Sequence, residues 1–452
     1  MEKEKFDWNY YLEKYPFALP ADPILADLYA FSREIKSVET DTTQSTNKHS
    51  NTFFMNGFGQ ISFMTPGCKL GQCSFCSYGA GKNPLMPLVV AHEMDKFTEE
   101  ILNRDQETYA ILLDSVGSIL DKNEFSPECL EMVFKKLDEL LLKVKTIEAV
   151  EFETHYQTLG SYDENGDYIA SDAVNQLIAF KEKHPEIGTF VVELGFETSN
   201  GEVRDNLLFK HIDDETYKQS VELLHQHGIE VEANVMATLP FLSQKEQIAQ
   251  SVSSVLKALK PYDKNEQPAS ERGYGIDSVT LFPLNVRKHT FCDYVFGIHD
   301  GLAEEKKKKT QTWMQKEFPI WSMVATLDAV YNEGEKVKKG YGEELLSRVS
   351  VAWFGGRQLS NDASEIYPKD WEITYDAFVE YRKNGMGGAR PRAEIIKELS
   401  KHPKYLEFLE SVKKENEDLP SYYDRATYLH ELINTFGKPP IEQKKPKIRN
   451  GE

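Results

Sequence analysis

The 452-residue sequence has no apolar run that approaches the length of a membrane span. Its first residues, Met1-Glu2-Lys3-Glu4-Lys5, lack an apolar signal core. These absences lead to the expectation of a soluble, cytoplasmic chain with no membrane partner. Cysteine is scarce: there are five, three of them in one stretch, which is no disulfide framework and favours a reducing compartment. No basic, aromatic-interleaved tract is present, and the formal net charge is −20. Phosphate binding relies on Lys and Arg, so this charge argues against a polyanionic partner while leaving room for a local basic patch. Neither Gly-rich break, Phe354-Gly355-Gly356-Arg357 or Gly385-Met386-Gly387-Gly388, leads into a Gly-Lys-Ser or Gly-Lys-Thr, so no P-loop is expected and both read as turns between helices.

What is present is concentrated between Thr65 and Gly79. Cys68, Cys73 and Cys76 are spaced C-x4-C-x2-C, directly after the strand-like run Gln60-Ile61-Ser62-Phe63-Met64. Thiolates this close can converge on one metal centre, and soft sulfur ligands select zinc, copper(I) or an iron-sulfur cluster. A closed structural zinc site needs a fourth ligand, which would have to be His92 or the distant Cys129 or Cys292, and there is no second C-x2-C or H-x3-H half-site. Three cysteines suit a [4Fe-4S] cluster with one iron left open for a substrate or cofactor.

Alternating patterns surround this loop. Strands are expected at Gln60-Met64, Tyr109-Asp114, Ile147-Phe152, Phe190-Gly195, Ile229-Met236 and Ile276-Leu281, each short and rich in Val, Ile, Leu or Phe. Helices are expected at Ala91-Arg104, Pro127-Val144, Ser171-His184, Asp213-His227 and Ser243-Leu259, several opened by a capping Ser or Asp. The series implies a parallel sheet with right-handed crossovers, either a full or partial barrel or a doubly wound sheet. Residues 1–52 read as a helical preface, with Thr40 to Thr52 as a plain connector. Residues 53–300 read as the α/β unit and 301–452 as a mostly helical region.

The cysteine loop, with an aromatic residue just before its third cysteine in Cys73-Ser74-Phe75-Cys76, resembles that of the radical S-adenosylmethionine (SAM) enzymes. The first gap is one residue longer than the commonest C-x3-C-x2-C. A second motif, Val192-Glu193-Leu194-Gly195-Phe196-Glu197-Thr198-Ser199-Asn200 followed by Arg204 and Lys210-His211, resembles the coproporphyrinogen oxidase branch, the elongator catalytic subunit and, most closely, the radical SAM subunit of archaeosine synthase. The resemblance implies a partial (β/α)6 TIM-like barrel, a [4Fe-4S] cluster on Cys68, Cys73 and Cys76, SAM as cofactor, and ferredoxin or flavodoxin as reductant. Carried over by position, Phe75 seats the adenine, Ser115 and Gly117 meet the methionyl amino group, Glu197 and Asn234 meet the ribose, and Lys210 meets the carboxylate.

Other residues at expected strand ends are ambiguous. Glu151 and Glu153 share a face and could accept from an ammonium or a ribose. His155, Asn285 and Lys288 are candidate substrate contacts, but His155 reads equally as a histidine on the surface or one that only supports residues touching the ligand, and Asn285 and Lys288 equally as part of a solvated loop. Cys292 could donate a hydrogen atom but also reads as a buried, inert thiol. The expected activity is SAM cleavage followed by hydrogen abstraction from a small molecule or peptide. A tRNA-modifying enzyme and a non-catalytic zinc scaffold are the alternatives.

Overall fold

The computed structural model describes residues 20–37, 49–55, 57–65, 68, 71, 73–76, 85–115, 117–262, 265, 272–284, 286, 290–315, 319–352, 370–383, 390–415 and 418–436. Its centre is one eight-stranded sheet in the order β1-β2-β3-β4-β7-β8-β9-β10. The strands are β1 Ser50–Met55, β2 Phe58–Phe63, β3 Ala110–Ser115, β4 Ala149–Thr154, β7 Thr189–Glu197, β8 Glu230–Met236, β9 Ser278–Phe282 and β10 Val349–Val351. A separate hairpin, β5 Gly160–Tyr162 and β6 Tyr168–Ala170, follows β4. Within the eight-stranded sheet every pairing from β2 to β10 is parallel and only β1 runs antiparallel, against β2; the β5–β6 hairpin is antiparallel.

Crossover helices supply the returns between parallel strands. Helix α1 Pro23–Ser37 precedes the sheet; the returns are α2 Pro87–Leu102, α3 Pro127–Lys143, α4 Asp172–Lys183, α5 Asp214–Gln226 and α6 Gln244–Leu259, and α7 Phe291–Asp300 follows β9. The expected caps are in place. Ser126, Ser171 and Asp213 each accept a backbone N–H of the first turn, and Ser243 forms a reciprocal capping box with Glu246. After α7 the chain is mostly helical: α8 Trp321–Val337, α9 Tyr341–Ser347, α10 Trp371–Lys383, α11 Arg392–Leu399, α12 Pro403–Lys413 and α13 Tyr422–Phe436.

All six expected strands form, with no end shifted by more than two residues, and the fold is the α/β partial barrel with helical extensions at both ends. Three features differ from expectation. Ser50–Met55, half of which was read as connector, is a strand that covers the open edge of β2. Val349–Val351, from the region read as helical, extends the sheet beyond β9. Helix α2 starts at Pro87 rather than Ala91, because proline is suited to the first helical turn, where its missing N–H costs nothing.

Two apolar cores hold the fold. Alternate strand residues such as Ile61, Leu113, Phe152, Val192, Val231 and Leu281 meet the crossover helices on one face of the sheet. A second core gathers α1, α7 and α13 around Phe209, Phe241 and Trp313, and the cysteine loop touches it through Phe75. Arg425 of α13 fastens this second core to the barrel: 1% exposed, it donates to both Glu246 oxygens at 2.7 and 2.9 Å and to Phe241 O at 2.9 Å. Arg425→Ala leaves Glu246 half-buried without its cation, so urea unfolding is expected to show about 3 kcal/mol less stability.

Candidate functional site

Catalytic groups of a parallel barrel gather where the strands end at their C-termini, and the cysteine loop leaves β2 at that end. Its middle is clamped to the neighbouring chain. Ser74, fully buried, donates its backbone N–H to Leu208 O at 2.9 Å and its hydroxyl to Leu207 O at 2.8 Å, while Cys292 N donates to Ser74 O at 3.0 Å. Within the loop Cys76 N donates to Cys73 O at 3.3 Å, and Gly71, at φ +50°, donates its N–H to Cys68 Sγ at 3.5 Å. All five cysteines are thiols. Cys68, Cys73 and Cys76 are partly exposed, whereas Cys129 and Cys292 are buried in the two cores, the inert reading of both.

The fourth-strand motif builds the facing wall. A bulge between Gly195 and Glu197 breaks the β7 register, and Glu197 takes a left-handed φ of +62° that an L side chain adopts only under constraint. The outcome is a nearly buried ion pair, with Lys210 Nζ 2.6 Å from Glu197 Oε1. Gly195 is required there, because a Cβ would strike the Lys210 ammonium. Burial draws the Lys210 pKa down, but Glu197 and the sulfurs of Cys73 and Cys68 outweigh it and hold the ammonium above its ordinary value. The motif therefore places one cation against two of the three cysteines.

Loops after β3 and β4 complete the surround. Gly117, at φ +131°, passes so close to Cys68 that a Cβ would lie 3.0 Å from its Cα and would collide with Glu124, whose Oε2 accepts the Ser118 N–H at 2.7 Å. His155 Nε2 lies 3.3 Å from Cys68 Sγ, and burial lowers its pKa. Cys68, Glu124 and His155 each bring a ligand atom within 4.8 Å of the other two. Glu124 carried no signal in the sequence, since it sits between strand and helix without motif or periodicity.

The sheet face opposite the crossover helices carries a row of polar side chains at one height: Ser62, Asp114, Glu153, Glu193, Glu232 and Ser278, one on each of six adjacent strands. Ser62 Oγ donates to Asp114 at 2.6 Å, and Ser278 and Thr280 donate to Glu232 at 3.0 and 2.7 Å. Burial pushes Glu153 well above the usual carboxylate range, with the neighbouring Asp114 adding to it; Glu193 is raised in the same direction by burial and then by Glu232. Asp114, Glu193 and Glu232 were not read as site residues. Two-residue alternation could have marked them, but alternation alone does not say which face is inside.

Among the described residues, the buried side-chain atoms that make no hydrogen bond include two at the barrel mouth, Ser115 Oγ at the end of β3 and Asn234 Oδ1 near the end of β8; others, such as Tyr217 OH, Gln247 Oε1 and Trp313 Nε1, lie elsewhere. Orphaned buried acceptors are uncommon in a finished core and are expected where a ligand completes the hydrogen bonding. Both are positions assigned to SAM by resemblance, so the residues present fit that cofactor. The structure thus brings together Cys68, Cys73, Lys210, Glu197 and His155, and puts Gly117 against Cys68. Phe75 lies on the second core, partly exposed beside the cysteines. Asn285 and Lys288 lie outside the described residues.

No family model matches the chain. Over 52% of its length it is 25% identical to an uncharacterized protein of Methanocaldococcus jannaschii, of which it spans 58%. It is 25% identical to archaeosine synthase subunit beta of Thermococcus kodakarensis over 59% of this chain and 70% of that protein. The chain therefore spans a little over half of the first relative and not all of the second. Among solved structures, the archaeal Elp3 of Methanocaldococcus infernus with an N-terminal deletion aligns with 66% of this chain and 57% of its own, at 14% identity and a TM-score of 0.37. The likeness to archaeosine synthase subunit beta agrees with the branch that the cysteine loop and the fourth-strand motif resemble.

The buried carboxylates make stability depend on pH. Burial, then the nearby Glu232, pushes Glu151 from 4.5 up to about 8. The folded chain therefore keeps a proton that the unfolded chain releases, so stability is full below pH 4.5 and falls as pH rises toward 8. Glu151→Gln replaces the neutral carboxyl by a neutral amide. Urea midpoints of variant and parent are expected to coincide near pH 4.5, with the variant more stable at pH 8.5 by an amount on the order of a few kcal/mol.

Proposed function

We propose that this chain is a radical SAM enzyme acting on a small molecule or peptide. The observation that carries the reading is the nearly buried Lys210–Glu197 ion pair, within electrostatic reach of two of the three clustered cysteines, at the C-terminal mouth of a parallel barrel. Cys68, Cys73 and Cys76 would hold a [4Fe-4S] cluster, leaving one iron without a protein sulfur. With SAM bound at that iron, such a cluster supplies one-electron cleavage of the sulfonium and a 5'-deoxyadenosyl radical able to take a hydrogen atom from a substrate.

The chain's own residues bind, orient and exclude water. The Lys210 ammonium, held charged by Glu197, offers a charge-assisted contact to the SAM carboxylate. Glu197 retains a second carboxylate oxygen for the ribose, and Asn234 Oδ1 is an acceptor awaiting a donor at the same mouth. Ser115 and Gly117 line the turn that approaches Cys68, where the amino group of SAM would sit. Glu153, kept protonated by burial and by Asp114, can donate as well as accept. Phe75 offers a ring and its backbone to the adenine. The Ser74 clamp holds the cysteine loop while the substrate carbon is placed, which is the protein's main contribution to such chemistry.

The formal net charge of −20 is a poor match for a polyanionic backbone, which supports the small-molecule substrate. Similarity to archaeosine synthase subunit beta favours the second reading, a tRNA-modifying enzyme. The Cys68, Glu124 and His155 grouping favours the third, a zinc site. A ferredoxin or flavodoxin would supply the electron.

Anaerobic reconstitution separates these. The proposal expects about four irons per chain and release of 5'-deoxyadenosine from SAM under a strong reductant; one zinc and no cleavage would refute it. Retention of tRNA that weakens steeply with salt would select the second reading. Lys210→Ala is expected to load the same iron but to raise the SAM requirement roughly tenfold to a hundredfold, the worth of one charge-assisted hydrogen bond. Cys68→Ala should not retain the cluster.

A further inference from the structure

We infer that His155 donates its Nε2 proton to Cys68 Sγ and so sets how readily the cluster accepts an electron, an inference that rests on the cluster reading above. The two atoms are 3.3 Å apart, an ordinary N–H to sulfur distance. A cysteine sulfur ligating iron is an acceptor, so the facing nitrogen must carry the hydrogen.

The contact is fixed from several sides. Directly after β4, His155 O accepts both the Thr158 hydroxyl at 2.7 Å and the Thr158 N–H at 3.0 Å, and His155 N donates to Ser118 Oγ at 3.4 Å. These bonds define the path of the backbone that carries the ring. Cys68 is pressed from the other side by Gly117, where no side chain fits, and Gly117 is backed by Glu124. The sulfur therefore meets a ring that packing has already oriented. It receives a second, main-chain donor from Gly71 N at 3.5 Å, which leaves His155 as the side-chain donor that substitution can remove. An N–H···S bond draws charge from the thiolate and favours the reduced, more negative cluster, which raises its reduction potential. His155 is in this reading a positioning and tuning residue, not a substrate ligand.

The test compares parent, His155→Leu and His155→Gln after anaerobic reconstitution, reading iron per chain, the midpoint of an EPR-monitored redox titration, and pulsed EPR of the reduced parent labelled with 15N-histidine. The expected result is equal iron in all three, a lower midpoint for His155→Leu, recovery of most of that shift in His155→Gln, whose amide can still donate, and a weakly coupled histidine nitrogen in the parent. A His155→Leu midpoint equal to the parent's overturns the inference, as does loss of one iron or a strongly coupled nitrogen, either of which would make His155 a ligand. Should His155→Leu not fold, the labelled parent decides: weak coupling supports the hydrogen bond and its absence overturns it. A parent that holds zinc or no iron removes the cluster reading and this inference together, whereas an iron-loaded parent with an unshifted His155→Leu midpoint removes the inference alone.

Discussion

The Lys210–Glu197 pair is the interaction around which the candidate site is arranged. Taking an ammonium and a carboxylate out of water costs more than their attraction returns unless the geometry is good and further charges contribute. Here the contact is a 2.6 Å ion pair, and Cys73 and Cys68 would add negative charge near the ammonium once they are thiolates, as cluster ligands are. The chain also accepts backbone strain on both sides of the pair: Glu197 at φ +62° and Phe209 at φ +55° are both left-handed without being glycine, at a cost of order 1 kcal/mol or more each. Strain of this kind persists only where the surroundings fix it. Phe209 is fixed by Tyr29 and Phe291, with ring centroids 5.1 and 4.7 Å away. The second core, built from segments near both ends of the chain, thus stabilises a backbone conformation at the barrel mouth.

The same economy governs the barrel interior. Carboxyl groups on adjacent strands of a desolvated sheet face disfavour ionisation, and burial first, then the neighbouring carboxylates, raise Glu153 and Glu193, while burial raises Asp114. An apolar lining would be more stable at neutral pH. Retaining the row gives the cavity hydrogen-bond donors and acceptors, with the Arg382 guanidinium within electrostatic reach of Glu232, a lining suited to a polar ligand that replaces water.

How much of this was legible in the sequence follows from what each feature needs. The three cysteines and the six strands depend on local spacing and composition, and both were readable. The edge strands were not: Val349–Val351 is three residues long, and Ser50–Met55 adjoins a polar run, so neither shows periodicity enough to outweigh its surroundings. Glu197 and Lys210 were reachable only through family resemblance, because an acidic residue in a strand or a lysine after a loop is ordinarily a surface group, whereas Glu153 followed from the two-residue alternation it shares with Glu151. Glu124 and the acidic row required the register itself. A one-residue slip would have turned Asp114 and Glu193 toward the helices.

Ser74 anchors the later part of the cysteine loop. The two later cysteines flank a residue whose N–H, hydroxyl and carbonyl are all bonded to segments 130 or more residues distant, to Leu207, Leu208 and Cys292. Cys73 and Cys76 are thus positioned by tertiary contacts rather than by the path from β2. Cys68 is positioned separately, by Gly117 on one side and His155 on the other. The first gap of the motif thus joins two separately held anchors.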